Sequence, residues 1–548
     1  MKKKKISLLV STIITSLIFS ACSNNTNKTN KADKAEAGSQ KQVLNLTIPE
    51  EIPSLDTAKA MDGTSSHIMQ NIFEGLYVLD NQDNPIPGVA KSFEKSKDGK
   101  KYTFHLRKDA KWSNGEMVTA QDFAFAWKRT LNPETASQYA YMLFYIKNAK
   151  EINKGIIAAD QLGVKAIDDF TLEVELEQPV PYLLQLLTLP VYLPQHESFV
   201  KEKGSSYGLE PENLIYNGPF VLEKWKHGQE FQLKKNNRYW DKKQVKLEAI
   251  DFNIVKDTMT AINLYESGSI DRAPITAKHF EQYKDNKELH MKKEAGIAML
   301  RFNEENTTLA NKKIRQSISL ALNKEEIVKH FGSTGATPAE GLIPAGYTNE
   351  STQKDFRKDN GSLVLYDLQK AKQTWEDAKK ELGIESVTLE LLAFEQDNER
   401  IIAEYIKGEL EKHLQGLTIQ IKQQPFKQKL QLEQTGQYEI SMVGWAPDYK
   451  DPISFLELFT TDNPNNKMKY SNSSYDDFIN KAKNEVVLDQ QKRWGYLLEA
   501  ERVLLEDAAV APLYHTGKAY VQKDYVKGIE KHQFGGAYTY KNAYLNKK

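Results

Sequence analysis

Apolar and polar residues alternate at several places along this chain, and elsewhere they recur at helical spacing. Val43 to Ile48 alternates as a half-buried strand does, as do Tyr102 to Leu106 and Phe170 to Leu176. Ile68, Ile72 and Leu76 lie four apart and predict a helix from Ser65 to Leu76. Ser113-Asn114-Gly115 reads as a turn, because Asn and Gly tolerate the left-handed backbone. Thr119 and Asp122 then stand where an N-cap and its third residue belong, opening a helix with Phe123, Ala126 and Trp127 on one face. Further helices are expected from Lys312 to Leu322, with Ile314, Ile318 and Ala321 inward, and from Gln490 to Glu506. Strands and helices are mixed throughout without a fixed-period repeat, which predicts an α/β or α+β protein of more than one lobe.

The N-terminus changes this picture. Lys2 to Lys5 concentrate positive charge, and an apolar run broken only by Ser and Thr follows from Ile6 to Phe19. Its length suits a signal peptide, shorter than the ~20 residues of a membrane span. The run ends at Ser20-Ala21-Cys22, which resembles a bacterial lipobox and predicts a signal peptide over 1–21 with lipidation of Cys22. Cys22 is the only cysteine, so no intramolecular disulfide is available and stability must come from the core. Residues 22–41, mostly Asn, Thr, Lys, Ala, Gly and Ser, read as a disordered tether. The formal net charge is zero with both signs interspersed, so nothing points to nucleic acid.

Candidate chemistry is thin. Gly204-Ser205-Ser206-Tyr207-Gly208 matches G-x-S-x-G, but the charged stretch before it is not the buried strand a nucleophile elbow needs. Asp80 to Asn84 reads as a turn and not a calcium loop, since Pro85 stands where the loop needs glycine. There is no HExxH, CxxC or phosphate-binding glycine loop, and the ten histidines lack metal-ligand spacing; His279 and His290 are expected to be exposed. No metal, no cofactor and no enzymatic activity are expected.

Three segments together resemble one family. The first runs from Gly75-Leu76-Tyr77 through Pro87 to Ser92 and Tyr102 to Gly115, closing at Val118 to Phe123. The second is Asn217-Gly218-Pro219-Phe220 with Tyr265 to Asp271, and the third is Phe302-Asn303 with Ile314 to Ile318. They resemble the peptide/nickel class of ABC-transporter substrate-binding proteins. Gly444-Trp445-Ala446-Pro447-Asp448-Tyr449 narrows the likeness to its oligopeptide-binding members. The resemblance implies an α/β fold of the type II periplasmic-binding-protein kind, two lobes closing on a cleft plus an additional inserted domain. Lobe I would comprise 42–73, 198–298 and 516–548, the inserted domain 74–197, and the opposing lobe 299–515.

In that family the aspartate of the Gly444–Tyr449 segment takes the ligand's α-ammonium, a role that would fall to Asp448. On the residues alone, Asp448 reads as a turn cap ahead of Asp451-Pro452. Trp445, beside Gly444, would wall the first ligand residues. Tyr139 and Tyr514 match positions that meet the peptide, Phe426 falls where relatives often line the cleft with Trp, and Asn465 and Asn466 would touch the ligand backbone. One departure stands out. Ile440 to Val443 carries no basic group to receive a short ligand's carboxyl end; Met442 would instead offer adaptable apolar surface to a longer or more hydrophobic peptide.

The expected partners are an oligopeptide ligand, the permease subunits of an ABC importer and, by the lipid anchor, a membrane, with the chain a monomer on the extracellular face of the cell membrane of a Gram-positive bacterium. A dedicated receptor for a signalling peptide (pheromone) is the alternative within the class; a secreted hydrolase is the alternative outside it. Replacing Cys22 by Ala is expected to release the mature body from the membrane fraction. Retention of that variant, with no lipid on the parent's Cys22, would defeat the lipoprotein reading.

Overall fold

A computed structural model describes residues 41–547, apart from 61, 332–334, 350–351, 396, 462, 464 and 535 and the side chains of 330–331, 397–398 and 426–427. The expected signal run, Cys22 and the tether up to Gln40 lie outside the described residues. Among the described residues no helix is long and apolar enough to cross a membrane.

Three sheets organise the body. The first pairs Val43–Ile48 in parallel with Ala249–Ile254, continuing antiparallel to Glu230–Lys235 and Phe220–Lys226. The alternation in Val43–Ile48 turns Leu44, Leu46 and Ile48 into the core. The second, all antiparallel, orders Ala90–Lys95, Lys101–Leu106, Thr171–Glu175 and Val164–Asp168. Against it packs the helix Ala120–Leu131, whose Asp122 carboxylate accepts from the Thr119 amide (2.8 Å) and the buried Trp112 indole (3.1 Å).

The third sheet is the largest. Its order is Arg272–Ile275, Val510–Gln522, Leu289–Phe302, Ile440–Trp445, Val387–Phe394 and Leu417–Gln424, with Thr337–Pro338 beside Val510–Gln522. Val387–Phe394 and Leu417–Gln424 run parallel, joined by the helix Asp397–His413. Leu289–Phe302 and Val510–Gln522 are the longest strands described, and their ladder shifts register twice, by one residue between Ala298 and Met299 and more widely between Lys293 and Ile297. Lys293 opposes Gly517 and Ile297 opposes His515, so Glu294, Ala295 and Gly296 face Thr516 alone. Gly517 has no room for a side chain, since a Cβ there would lie 2.2 Å from the Gly335 carbonyl carbon.

Most predicted elements form where the periodicity places them, and two expectations need correction. The first helix runs from Gly63 to Ile72 and stops short of Leu76. Tertiary bonds end it: the Ile72 carbonyl accepts from the Gly218 amide (3.0 Å), while the Asn217 side chain bonds both the amide and the carbonyl of Glu74 (3.0 and 2.8 Å). His279 is buried, not exposed, because it lies in the first turn of the helix Ala277–Tyr283, with Nδ1 2.9 Å from the Thr276 hydroxyl; His290 is exposed. Ser206 sits exposed in a single turn after the helix Glu197–Lys203, with no strand before it. Asp80 Oδ1 accepts from the amides of Gln82 and Asn84, both at 2.8 Å, closing a turn.

The helix Gln490–Glu506 is fastened by a fully buried carboxylate. Glu501 accepts from both Arg357 amino groups (2.8 and 2.9 Å), the Ile343 amide (3.0 Å) and the Asn360 side chain (2.6 Å). Each oxygen is satisfied, so removing the acid strands the Arg357 guanidinium without solvent. Glu501→Ala is therefore expected to cost about 3–5 kcal/mol of stability. Urea unfolding followed by tryptophan fluorescence, reading Trp494 one helical stretch away, checks this; a loss below about 1 kcal/mol would contradict it.

Candidate functional site

The site forms where Ile440–Trp445 leaves the large sheet. This strand pairs with Leu289–Phe302, placing Trp445 opposite Ile297, Gly444 opposite Ala298 and Met442 opposite Leu300. Alternation decides what each side chain faces. Met442 turns into the core with Leu300, Leu391 and Ile440, and is 5% exposed, which corrects its expected ligand-facing role: it offers no free surface. Trp445, on the opposite face, is half-buried and donates from its indole to the Ser454 carbonyl (3.2 Å). Gly444 is exposed, and a Cβ there would meet nothing closer than the Ile297 carbonyl at 3.9 Å. Tyr514 flanks Ala298 from the other neighbouring strand, so at one level of the sheet a half-buried Tyr stands beside two small residues. Burial pushes its phenol up to about 12, and the Glu399 carboxylate adds to this.

Beyond Trp445 the chain is fastened by Asp451. Asp451 Oδ1 accepts from the Ile453 amide (2.9 Å), opening the short helix Ile453–Leu456, and both Asp451 oxygens take Arg493 (2.8 and 2.9 Å). Tyr449 is buried, stacks on Tyr182 at 4.7 Å and 17°, and donates to Glu457 (2.9 Å). The second oxygen of Glu457 accepts from Lys483 (2.7 Å).

Asp448 stands between these fixed points with almost nothing of its own. Its one hydrogen bond among the described residues comes from the Tyr139 hydroxyl, at a long 3.4 Å, and none of their cationic groups pairs with it. Burial pushes its carboxyl up to about 7, the Glu457 charge adds to the rise, and only the Tyr139 bond opposes it. Tyr139 is half-buried beside Tyr141, ring centroids 5.8 Å apart. Burial and the Asp448 charge hold both phenols well above the usual range, so they stay protonated and act as donors. The structure thus brings Tyr139 to Asp448, three residues after Trp445 in the chain.

Other predicted residues fall differently. Asn466 is buried and spent on its own loop, donating to the Thr460 and Tyr470 carbonyls (3.1 and 2.7 Å) and accepting from the Tyr470 amide (3.2 Å), which corrects its expected ligand contact. Asn465 lies near the Tyr141 hydroxyl. Phe426 opens the helix Phe426–Gln434, but its side chain lies outside the described residues. The nearby cations Arg301 and Lys429 both turn to Glu433 (3.6 and 2.5 Å). Sequence reading missed Tyr141, Tyr182, Glu457 and Lys483; the run of tyrosines at 139, 141 and 145 was the one visible signal. Among the described residues no cluster of His, Cys, Asp and Glu could hold a metal ion.

Comparison with known proteins fits this architecture. The family model of bacterial extracellular solute-binding proteins, family 5, matches residues 84–467. The chain belongs to that family. The substrate-binding domain of an oligopeptide ABC transporter from Bacillus anthracis is 47% identical with a TM-score of 0.85, over 93% of this chain and 99% of that one. Listeria monocytogenes OppA bound to peptide is 40% identical at TM-score 0.84, over 93% and 100%. The pheromone receptor PrgZ is 36% identical at 0.84, over 92% and 100%. As the family's name implies, these are binding proteins.

A raised carboxyl pKa has a definite signature. Below the unfolded value near 4 Asp448 is neutral in both states and costs nothing; as pH rises through about 7 the unfolded chain gains from ionising first, and stability is lost. Asp448→Asn should therefore unfold at a higher temperature than the ligand-free parent at pH 8, with the gap closing toward pH 4. A lower midpoint for the variant at pH 8 would mean that Asp448 holds the fold together.

Proposed function

We propose that this chain is the extracellular receptor of an ABC importer and that it binds oligopeptides with the ligand's α-ammonium on Asp448. One observation carries the reading: a half-buried carboxylate, given one weak hydrogen bond and no cation among the described residues, beside the phenols of Tyr139 and Tyr141. Every unmodified peptide brings an ammonium at its first residue whatever its side chains. Enclosed against Asp448, it forms a charge-assisted bond worth far more than the same pair in water. An extended backbone beyond that point satisfies itself by strand-like pairing, which depends little on sequence. With Met442 in the core and Arg301 and Lys429 turned to Glu433, affinity rests on the amino end.

In this reading lobe I comprises 42–73, 198–298 and 516–548, the inserted domain 74–197, and the opposing lobe 299–515. Leu289–Phe302 and Val510–Gln522 pass between the two lobes, and the break at Glu294–Gly296 lies where they cross. Three residues opposite one leave the ladder locally unpaired, the kind of spot that absorbs a hinge rotation. The monomeric body acts outside the cell, tethered through lipidated Cys22, and delivers its peptide to the permease without catalysis. Likeness to the pheromone receptor PrgZ favours, as a second reading, one dedicated signalling peptide. Competition among random peptides separates the two: a nutrient receptor retains many sequences, a dedicated one few.

Calorimetry on parent and Asp448→Asn, each with free and N-acetylated peptide, tests the ammonium assignment. Leaving one charge of an enclosed pair unpartnered costs about 3–5 kcal/mol. At ~1.4 kcal/mol per decade, either change alone should lower affinity about two to four orders of magnitude. The two should not add, because both remove the same contact. Parent affinity should also fall as pH drops below about 7 and Asp448 protonates, a limb absent from the variant. If the parent binds acetylated and free peptide equally, Asp448 does not receive the amine.

A further inference from the structure

A second concave site lies on the outer face of the large sheet, away from Asp448. Strand alternation builds it. Ala273, Ile275, Ala519 and Val521 point into a small core with Ile262 and Tyr265, so their neighbours Arg272, Tyr520 and Gln522 point outward. His290 pairs with Tyr520 and joins the same face, as does Lys292 two residues on. The segment around Lys527 and Lys531 closes one side, leaving a pocket of about 290 Å³. Arg272, Lys292, Lys527 and Lys531 line it, and no Asp or Glu does. In a chain whose formal net charge is zero, this is a local excess of one sign.

The cations are held apart and left largely uncompensated. The Arg272 guanidinium lies 3.6 Å from the Tyr520 ring centroid and 4.3 Å from that of Tyr538. It donates one bond, to the Tyr538 hydroxyl (2.9 Å), and its other N–H groups have no acceptor among the described residues. Two rings thus fix the plane of the fork before any ligand arrives. Lys531 does pair with Glu294 (2.8 Å), but that acid is shared with Lys518 (3.3 Å). Lys292 and Lys527 make no ion pair among the described residues. His290, stacked on Tyr520 at 5.2 Å, registers the field: burial, then Arg272 and Lys292, hold its imidazole below the usual range, against an opposing pull from Asp524 that outweighs the added push of Lys527.

We infer that this pocket holds a phosphate group, presented either by a free phosphate anion or by the headgroup of an anionic lipid. A planar guanidinium fork with two flexible ammonium groups suits a tetrahedral oxyanion, and the volume accommodates it with several waters, each taking ~30 Å³. The site is separate from peptide capture, so the two readings stand or fall independently.

The test uses the chain carrying Cys22→Ala, so that acylation does not mask the contact, in low-salt buffer free of phosphate. Inorganic phosphate and pyrophosphate are titrated by calorimetry. Co-sedimentation compares phosphatidylcholine vesicles with and without phosphatidylglycerol. Lys292→Glu combined with Lys527→Glu alters two exposed side chains and should leave oligopeptide affinity unchanged, which also shows that the variant is folded. Binding of the free anions, weakened at least tenfold by the double variant, supports a soluble phosphate as ligand. Sedimentation that depends on phosphatidylglycerol, and is lost in the double variant, supports a headgroup. In either case the His290 pKa, followed by NMR, should rise on adding phosphate to the parent and not to the variant. No binding in any arm, or binding the double variant retains in full, overturns the proposal.

Discussion

Ionised carboxylates belong in water, and a fold that withdraws one must compensate it or tolerate the cost. At Glu501 and Asp451 compensation is complete, each acid gripping an arginine with both oxygens. At Asp448 it is withheld, with a single long bond from Tyr139. The contrast matters because an acid already paired with a protein cation would have to break that pair before meeting a ligand. The surroundings maintain the deficit actively. Glu457, whose charge acts on Asp448, has its own tyrosine and lysine, so Lys483 is held away from Asp448.

Holding an uncompensated charge in place requires rigid neighbours, and the segment after Trp445 shows how they are supplied. The indole of Trp445 is tied to Ser454, Asp451 opens the following helix, and Tyr449 is clamped between Tyr182 and Glu457. Asp448 needs no rotamer-fixing bond of its own, since the backbone on either side is already determined. The Tyr182–Tyr449 stack and the Tyr139–Asp448 bond also join residues far apart in sequence, so the acid's environment draws on both segments of the chain.

The sequence disclosed whatever depends on near neighbours. Alternation located Val43–Ile48, the spacing of Ile314, Ile318 and Ala321 located Lys312–Ala321, and the Thr119–Asp122 pair located a helix start, because each is a local balance of burial and capping. It was less informative where a distant residue decides. The first helix ends at Ile72 because Asn217 and Gly218 capture its last groups, and His279 is buried by packing that no window around it reveals. At the site, the Gly444–Tyr449 segment was recognisable as a motif, yet the facing of Met442 follows from strand register and the occupation of Asn466 from loop closure. Neither is written in residue type.

That register has a consequence for specificity. In a strand buried on both sides, a side chain cannot serve the core and a ligand at once, and Met442 is committed to the core beneath Gly444. Arg301 and Lys429, the cations closest in the fold to that strand, are turned to Glu433, which the Ser441 hydroxyl also reaches (2.6 Å). Freeing both to meet a ligand carboxylate would leave Glu433 buried without a cation, at a cost of several kcal/mol that a single new ion pair does not recover. Selection by ligand length through a carboxyl clamp is therefore disfavoured at this position. On the proposed reading, an amino-end anchor at Asp448 would be followed by Gly444, Ala298 and Tyr514 at one level of the sheet, a strip with little side-chain bulk beside a phenol. Such a surface would constrain where a peptide begins far more than where it ends.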